Sequence, residues 1–160
     1  MISIGTGLAI AGASLALGIA GLSTAIGCRN AGVAGAGAVA ENKDNFKNSL
    51  VFQALPQTQT IYAFIIGLFI VIGTGLLAGG NKDVSLAQGF VMFGSALVVA
   101  LTGLSAIFQG LVAAAGISAS AKAKHSFVPG LIFTGQCETP AIFGFILALI
   151  ILVVGLNVLG

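Results

Sequence analysis

One carboxylate of the sequence lies deep inside a long apolar run. Glu138 is thirteen residues past His125, which is about 20 Å of helical rise. A charge at that depth in a bilayer costs about 2.5–3.5 kcal/mol, so it indicates function unless the acid is permanently protonated and bonded to a neighbouring helix. Gln109, Thr58 and Gln59 lie at comparable distances from the polar ends of their own runs. Carboxylate, amide and hydroxyl oxygens are the ligands that a hard cation requires.

Spacing places further polar groups beside Thr58. Positions i, i+3, i+4 and i+7 of one predicted helix share a face, and they are occupied by Leu55, Thr58, Gln59 and Tyr62. Pro56 has no backbone N–H, so we expect the carbonyl of Phe52 to lack a helical partner and the Leu55 carbonyl to be exposed by a loosened turn. Each polar residue alone is typical of contacts between helices. Together they predict an oxygen-rich cation site around one carboxylate.

The composition identifies the environment of this site. The chain has 160 residues, of which 58% are hydrophobic and 6% charged. Soluble domains carry about 25% charged residues. Because so little charge cannot cover a surface that faces water, the composition excludes a soluble enzyme, a nucleic-acid binder and a disordered chain. The sequence predicts an integral membrane protein embedded in the lipid bilayer.

Polar clusters divide the chain into four apolar runs. The clusters are 41–48, 79–83 and 121–126, and the runs are 5–40, 49–78, 84–120 and 127–159. Each run exceeds the roughly 20 residues that a helix needs to cross a bilayer, and none alternates as a barrel strand does. The short connections require neighbouring helices to be antiparallel. The predicted fold is an all-α membrane protein with four transmembrane helices in two tandem hairpins.

The two hairpins are related by an internal repeat. A shift of 81 positions aligns the segment that begins at Leu50 with the segment that begins at Leu131 without a gap. Because each unit contains two spans, both copies have the same orientation, which argues against an inverted-repeat transporter. We predict a first hairpin at 1–80 and a second hairpin at 81–160 that carries the ion-binding glutamate. The shift pairs Gln57 with Glu138, so one chain has one such acid per four helices.

The two helices of each hairpin differ in bulk. The first and third runs are rich in glycine and alanine, whereas the second and fourth carry most of the aromatic residues. Small residues in membranes mark surfaces where helix backbones approach closely. A ring lined on its inside by the first and third helices satisfies this pattern better than a monomeric four-helix bundle. The sequence therefore predicts a homo-oligomeric ring.

Basic residues predict the orientation in the membrane. Four lysines lie in the clusters 41–48 and 121–126, whereas 79–83 has only Lys82. The positive-inside rule places the first and third clusters in the cytoplasm and both termini on the opposite side. Arg29 lies within the first run, and its long side chain can reach the cytoplasmic interface.

Three short motifs carry a family resemblance over essentially the whole chain. They are LPQTQ at 55–59, FQGLVAAAGI at 108–117 and ETPAIFGF at 138–145. Because it has these motifs in this order and at this spacing, the chain resembles the duplicated proteolipid subunit, which is the rotor-ring subunit of V-type and V/A-type ATPases. The resemblance implies that Glu138 is the carboxylate that carries the transported ion through the cell membrane.

The resemblance also implies the type of ion and the partners. This chain matches the sodium-carrying branch of the family at every polar position. The resemblance implies that the ion ligands are the Leu55 carbonyl, Thr58, Gln59, Gln109 and Glu138. It also implies that Tyr62 is the hydrogen-bond partner of the acid. It implies Na⁺ as the transported ion, a membrane stator subunit with an essential arginine, and central-stalk subunits that connect to the ATP-hydrolysing head. The proteolipid itself is then non-catalytic, with no catalytic residues.

Three alternatives remain at the level of sequence. The same rotor protein could carry H⁺, since a carboxyl beside glutamine and threonine can hold a proton. A small four-helix drug antiporter also uses one membrane acid, but that acid lies in the first helix beside aromatic residues, and here the first run has neither. A purely structural tetraspan protein is the third, and it predicts that Glu138 is dispensable.

Overall fold

The computed structural model describes residues 2–79 and 83–159. In this part of the chain, four helical segments are long and apolar enough to cross a membrane: span 1 (Ile4–Glu41), span 2 (Lys43–Gly73), span 3 (Leu86–Lys122) and span 4 (Lys124–Asn157). The predicted all-α fold of four transmembrane helices is confirmed. The predicted boundary between residues 80 and 81, and Lys82, lie outside the described residues.

Only span 1 is a single uninterrupted α-helix in the described chain. The others consist of paired α-helices: Phe46–Ala54 and Thr58–Gly73 in span 2, Leu86–Thr102 and Ser105–Lys122 in span 3, Phe127–Gln136 and Thr139–Leu159 in span 4. Short 3-10 turns cover Lys43–Asn45, Leu55–Gln57, Leu76–Ala78 and Lys124–Ser126. Serine side chains cap the starts of spans 1 and 3, where Ser3 accepts from the Thr6 N–H and Ser85 forms a capping box with Gln88.

The element ends repeat along the chain as the sequence predicts. Span 1 ends at Glu41 and span 3 ends 81 residues later, at Lys122. The same shift relates the 3-10 turns Lys43–Asn45 and Lys124–Ser126. The two hairpins therefore share the positions of these element ends, although span 1 is continuous and span 3 is interrupted.

Close contact between spans 1 and 3 follows from their glycines. A Cβ on Gly110 would overlap the backbone of Gly27, and a Cβ on Gly89 would lie 2.5 Å from the Gly5 carbonyl oxygen. Only glycine permits this approach, because any side chain would separate the backbones. Spans 1 and 3 are also the more buried pair. In the most apolar stretch of each span, the share of residues that are buried is 33% in span 1 and 39% in span 3, but only 28% in span 2 and 22% in span 4. Spans 1 and 3 therefore take the crowded position that their small residues predict.

Spans 2 and 4 pack on the outside of this pair. Span 2 contacts spans 1, 3 and 4, and span 4 packs along span 3. Phe52 of span 2 is fully buried and makes an edge-to-face contact with Phe127 of span 4, with ring centroids 5.6 Å apart. Many bulky side chains of these two spans point outward instead, as Phe133 and Phe143 do. Such apolar exposure is expected of a surface that lies in lipid or against another subunit.

Spans 2, 3 and 4 are each interrupted. In span 2 the 3-10 turn Leu55–Gln57 surrounds Pro56, and in span 4 the break precedes Pro140. The expectation of an unpartnered Phe52 carbonyl is wrong, because the Leu55 N–H donates to it in an i to i+3 bond. The tighter turn thus replaces the bond that proline removes. The break in span 3 falls at residues 103–104, where the sequence has no proline that would predict it.

Candidate cation site

The site is centred on the carboxylate in the break of span 4. Glu138 is half-buried, and its backbone N–H donates to the Gly135 carbonyl at 3.0 Å in place of a regular helical bond. Tyr62 of span 2 donates its hydroxyl proton to Glu138 Oε1 at 2.6 Å. The Tyr62 ring stacks on Phe145, with centroids 5.1 Å apart and an interplanar angle of 24°. The phenol is thus fixed by packing and aimed at the carboxylate.

Two amides join spans 2 and 3 beside this pair. Gln59 Nε2 donates to Gln109 Oε1 at 2.7 Å, and the two side chains are 1% and 0% exposed. Gln109 Nε2 in turn donates to the Thr134 carbonyl of span 4 at 3.2 Å. Buried amides in lipid need partners for every polar atom, so these contacts hold the three spans in register at the depth of Glu138.

Thr58 and Leu55 complete the polar face of span 2. The Thr58 hydroxyl lies 3.0 Å from the Leu55 carbonyl oxygen and 3.2 Å from Gln59 Oε1, so it can donate to either oxygen. The Leu55 carbonyl also accepts the Thr58 N–H across the 3-10 turn. The tight turn therefore presents this carbonyl to the Thr58 hydroxyl rather than leaving it unbonded.

The structure brings the residues that the sequence singles out into two adjoining hydrogen-bonded groups. One consists of Tyr62 and Glu138, and the other of Leu55, Thr58, Gln59 and Gln109. Span 2 connects them, because Gln59 and Tyr62 lie one turn apart on one face. Span 4 connects them as well, because Thr134 precedes Glu138 by one turn.

Three residues that contact the site are not predicted from the sequence. Gln59 Nε2 also lies 3.4 Å from Ser105 Oγ, Thr134 supplies a carbonyl to Gln109, and Phe145 supports the Tyr62 ring. Ser105 and Thr134 each lie four residues before a polar residue of the site. The i to i+4 rule applied to spans 3 and 4 would have found both.

The chemistry of this arrangement suits a hard monovalent cation. The two adjoining groups contain carboxylate, amide, hydroxyl and backbone carbonyl oxygens, without sulfur or imidazole among the groups just described. Such oxygens replace the hydration shell of a hard cation, and a single carboxylate neutralises a single positive charge. In the geometry described, the oxygens are occupied by hydrogen bonds to one another. Coordination of a cation by these oxygens would require some of these hydrogen bonds to break.

Comparison with known families agrees with the repeated architecture. The family described as the C subunit of ATP synthase matches residues 11–70 and again residues 86–151. One match covers spans 1 and 2, and the other covers spans 3 and 4. The chain belongs to this family. Its two hairpins are two copies of the unit that defines the family.

Individual relatives come from archaea, bacteria and animals. The chain is 42% identical over 146 residues to A-type ATP synthase subunit K of Methanocaldococcus jannaschii, a match that covers 91% of this chain and 62% of that relative. It is 38% identical over 132 residues to V-type sodium ATPase subunit K of Enterococcus hirae, covering 82% and 81%. It is 28% identical to the 16 kDa proteolipid of the Homo sapiens V-type proton ATPase, covering 89% of each.

Proposed function

We propose that this chain is a rotor-ring subunit of a V/A-type ATPase and that it carries Na⁺ across the cell membrane on Glu138. The observation that carries the proposal is the Glu138 carboxylate, held by Tyr62 at the depth where paired amides join spans 2, 3 and 4. The 38% identity to a sodium ATPase subunit K supports sodium as the ion. The weaker identity to a proton ATPase proteolipid makes H⁺ the second candidate.

The ion is held by oxygens from all three interrupted spans. Glu138 supplies the charge, Gln109 and Gln59 supply amide oxygens, and Thr58 and the Leu55 carbonyl supply the remaining ligands. Tyr62 keeps the carboxylate turned toward the site through its hydroxyl. For both amide oxygens to coordinate Na⁺, the bond between the two amides would have to open.

Neutralisation of Glu138 permits rotation through lipid. A bare carboxylate at mid-depth costs about 2.5–3.5 kcal/mol, whereas the sodium-bound form carries no net charge. At the membrane stator a fixed arginine stabilises the bare carboxylate and releases the ion. Central-stalk subunits transmit torque from the ATP-hydrolysing head, so the chain takes part in an enzyme complex without catalysing hydrolysis.

The repeat sets the number of ions that each chain carries. Gln57 occupies the position in the first hairpin (1–80) that Glu138 occupies in the second (81–160). A ring of such chains moves one ion per four helices. Fewer ions per ATP allow each ion to be moved against a steeper gradient, since one charge costs about 2.3 kcal/mol per 100 mV. This arrangement suits a pump.

The orientation follows from the lysines at the ends of the spans. Lys43, Lys122 and Lys124 lie at one end of the hairpins. We place this end, with loops 41–48 and 121–126, in the cytoplasm and both termini on the other side.

Labelling of Glu138 by a hydrophobic carbodiimide tests the proposal. The reagent modifies a protonated carboxyl, so bound Na⁺ should protect Glu138 at neutral pH. We expect the labelling rate of the purified ring to fall as NaCl is raised, and to be unaffected by the same concentrations of choline chloride. Equal rates in both salts, with labelling that falls only as pH rises, would instead show a proton carrier.

Removal of the Tyr62 hydroxyl should weaken sodium binding without abolishing it. Tyr62→Phe keeps the ring that stacks on Phe145 but loses the hydrogen bond to Glu138. Hydrogen bonds to charged groups contribute about 1.5–3 kcal/mol, so the NaCl concentration for half-protection should rise roughly tenfold to hundredfold. Thr74→Val removes a hydroxyl just past the far end of span 2, where it donates to the Val71 carbonyl, and should leave half-protection unchanged. Identical protection of both variants would contradict the role of Tyr62.

A further inference from the structure

The two buried amides of the site differ in their hydrogen-bond partners. Gln109 Nε2 donates to the Thr134 carbonyl of span 4 at 3.2 Å, and Gln109 Oε1 accepts from Gln59 Nε2 at 2.7 Å. The second contact of Gln59 Nε2 is with the Ser105 hydroxyl oxygen of span 3, at 3.4 Å. An N–H to oxygen hydrogen bond is usually about 2.7–3.2 Å long. In this geometry the contact with Ser105 is therefore the weaker of the two.

Coordination of one cation by both amides changes this balance. Both Oε1 atoms then have to face the cation, so the bond from Gln59 Nε2 to Gln109 Oε1 has to open. Gln109 Nε2 has a separate acceptor in the Thr134 carbonyl. Gln59 Nε2 loses its shorter bond, and the Gln59 side chain is only 1% exposed. Because a buried N–H without an acceptor is unfavourable, Gln59 needs a second acceptor, and the Ser105 hydroxyl lies within reach.

Ser105 differs from other serines of the spans in what its hydroxyl contacts. Ser23 of span 1 and Ser118 of span 3 each donate to the carbonyl four residues earlier in their own helix, as serine often does in membrane helices. Ser105 lies directly after the break at residues 103–104. Its hydroxyl contacts Gln59 of the neighbouring span. Ser105 therefore presents its oxygen to the cation site.

We propose that Ser105 is a positioning residue of the cation site, whose hydroxyl accepts the Gln59 N–H while the oxygens of both amides bind Na⁺. This bond keeps Gln59 Oε1 on the side where the Thr58 hydroxyl lies 3.2 Å away. Ser105 acts through Gln59 and does not itself bind the ion. The inference rests on the proposed sodium transport and adds to it a residue outside the set of ion ligands.

The corresponding residue of the first hairpin makes a different contact. It is Thr24, 81 positions before Ser105, and its hydroxyl donates to the Pro56 carbonyl of span 2 at 2.9 Å. A backbone carbonyl keeps its direction in a helix, whereas a side-chain amide can exchange one partner for another. The exchangeable contact thus occurs in the hairpin that has Glu138, and the fixed contact in the hairpin that has Gln57 instead.

Sodium protection of Glu138 against a hydrophobic carbodiimide tests the role of Ser105. Ser105→Ala removes the hydroxyl and should raise the NaCl concentration for half-protection about threefold to tenfold, as expected for one neutral hydrogen bond. Ser105→Thr keeps a hydroxyl and should restore the value of the unmodified ring. The matched control is Ser118→Ala on the same helix, which removes a hydroxyl that donates to the Ala114 carbonyl. It should leave half-protection unchanged.

Thermal dissociation of the ring in two salts separates positioning from a purely structural role. In choline chloride, Gln59 can keep its 2.7 Å bond to Gln109, so Ser105→Ala should dissociate at the temperature of the unmodified ring. In the same concentration of NaCl it should dissociate at a lower temperature than the unmodified ring, because stabilisation by a bound ligand falls with its affinity. A purely structural contact would lower the dissociation temperature equally in both salts.

These outcomes distinguish the role of Ser105 from sodium transport itself. Equal half-protection of Ser105→Ala and the unmodified ring would overturn the inference alone. So would a decrease in dissociation temperature of the same size in both salts, or a Ser105→Thr variant that behaves as Ser105→Ala does. If the unmodified ring showed no protection by sodium, the proposed function would be wrong, and the role of Ser105 would be wrong with it.

Discussion

Glu138→Gln is expected to abolish ion transport while the ring still assembles. Glutamine has the same shape and its Oε1 can still accept the proton of Tyr62, so the packing of spans 2 and 4 is preserved. It carries no charge and therefore cannot attract a cation. The lost attraction is about 4 kcal/mol for charges 4 Å apart at an effective dielectric of 20, or roughly a thousandfold in affinity. ATP-driven ²²Na⁺ uptake into proteoliposomes should fall to background.

The chain offers a matched control for this experiment. Glu41 is a second carboxylate, and it is exposed at the end of span 1. Glu41→Gln makes the same chemical change outside the membrane, so its uptake should equal that of the unmodified complex. Native gels should show equal amounts of ring for both variants. If the Glu138→Gln variant still took up sodium in an intact ring, Glu138 would be dispensable. That result would favour the hypothesis of a purely structural tetraspan protein over that of a rotor subunit.

The residues of the candidate site could be predicted from sequence because polar groups are scarce in the spans. Glu138 is recognisable by its depth alone, and Gln109 and Gln59 follow from comparable distances to the polar loops. Helical periodicity then places Tyr62 on the same face as Gln59. In a soluble protein the same residues would be lost among many exposed polar side chains. The structure adds that they bond one another across three spans.

Local rules fail where tertiary contacts determine the backbone. The Phe52 carbonyl is bonded because the chain tightens into a 3-10 turn around Pro56, an adjustment that neighbouring helices stabilise. The break at residues 103–104 in span 3 has no proline, and there a Cβ on Gly103 would lie 3.0 Å from the Ala20 side chain. That contact depends on how span 1 passes span 3, which the sequence of span 3 alone does not contain.

The repeat carries information that neither hairpin contains alone. Sequence alignment at a shift of 81 predicts that the hairpins are copies, but it does not say which surfaces meet. The structure shows that span 2 lies against the second hairpin, where Gln59 bonds Gln109 and Tyr62 bonds Glu138. The alignment shows that the first hairpin has Gln57 where the second has Glu138. The two copies therefore differ in the residue on which the proposed function depends.

Gly110→Ala is expected to destabilise the protomer strongly through a single added methyl group. That Cβ would overlap the Cα, carbonyl carbon and carbonyl oxygen of Gly27. Overpacking against mobile side chains costs about 1–3 kcal/mol, and a helix backbone cannot rotate away as a side chain can. Spans 1 and 3 must therefore separate. Because Gln109 is the adjacent residue, the separation also disturbs its 2.7 Å bond to Gln59.

Thermal dissociation of the detergent-purified ring distinguishes this effect from a general loss of glycine flexibility. Gly94 lies on the same span, and a Cβ there meets no atom within 4 Å. Gly94→Ala should therefore leave the dissociation temperature unchanged or raise it, since alanine favours a helix over glycine by about 1 kcal/mol. Gly110→Ala should lower that temperature and raise the NaCl concentration needed for half-protection of Glu138. Equal dissociation temperatures for the two variants would mean that spans 1 and 3 do not meet at Gly27 and Gly110, and the positions of the amides between the spans would have to be reassigned with them.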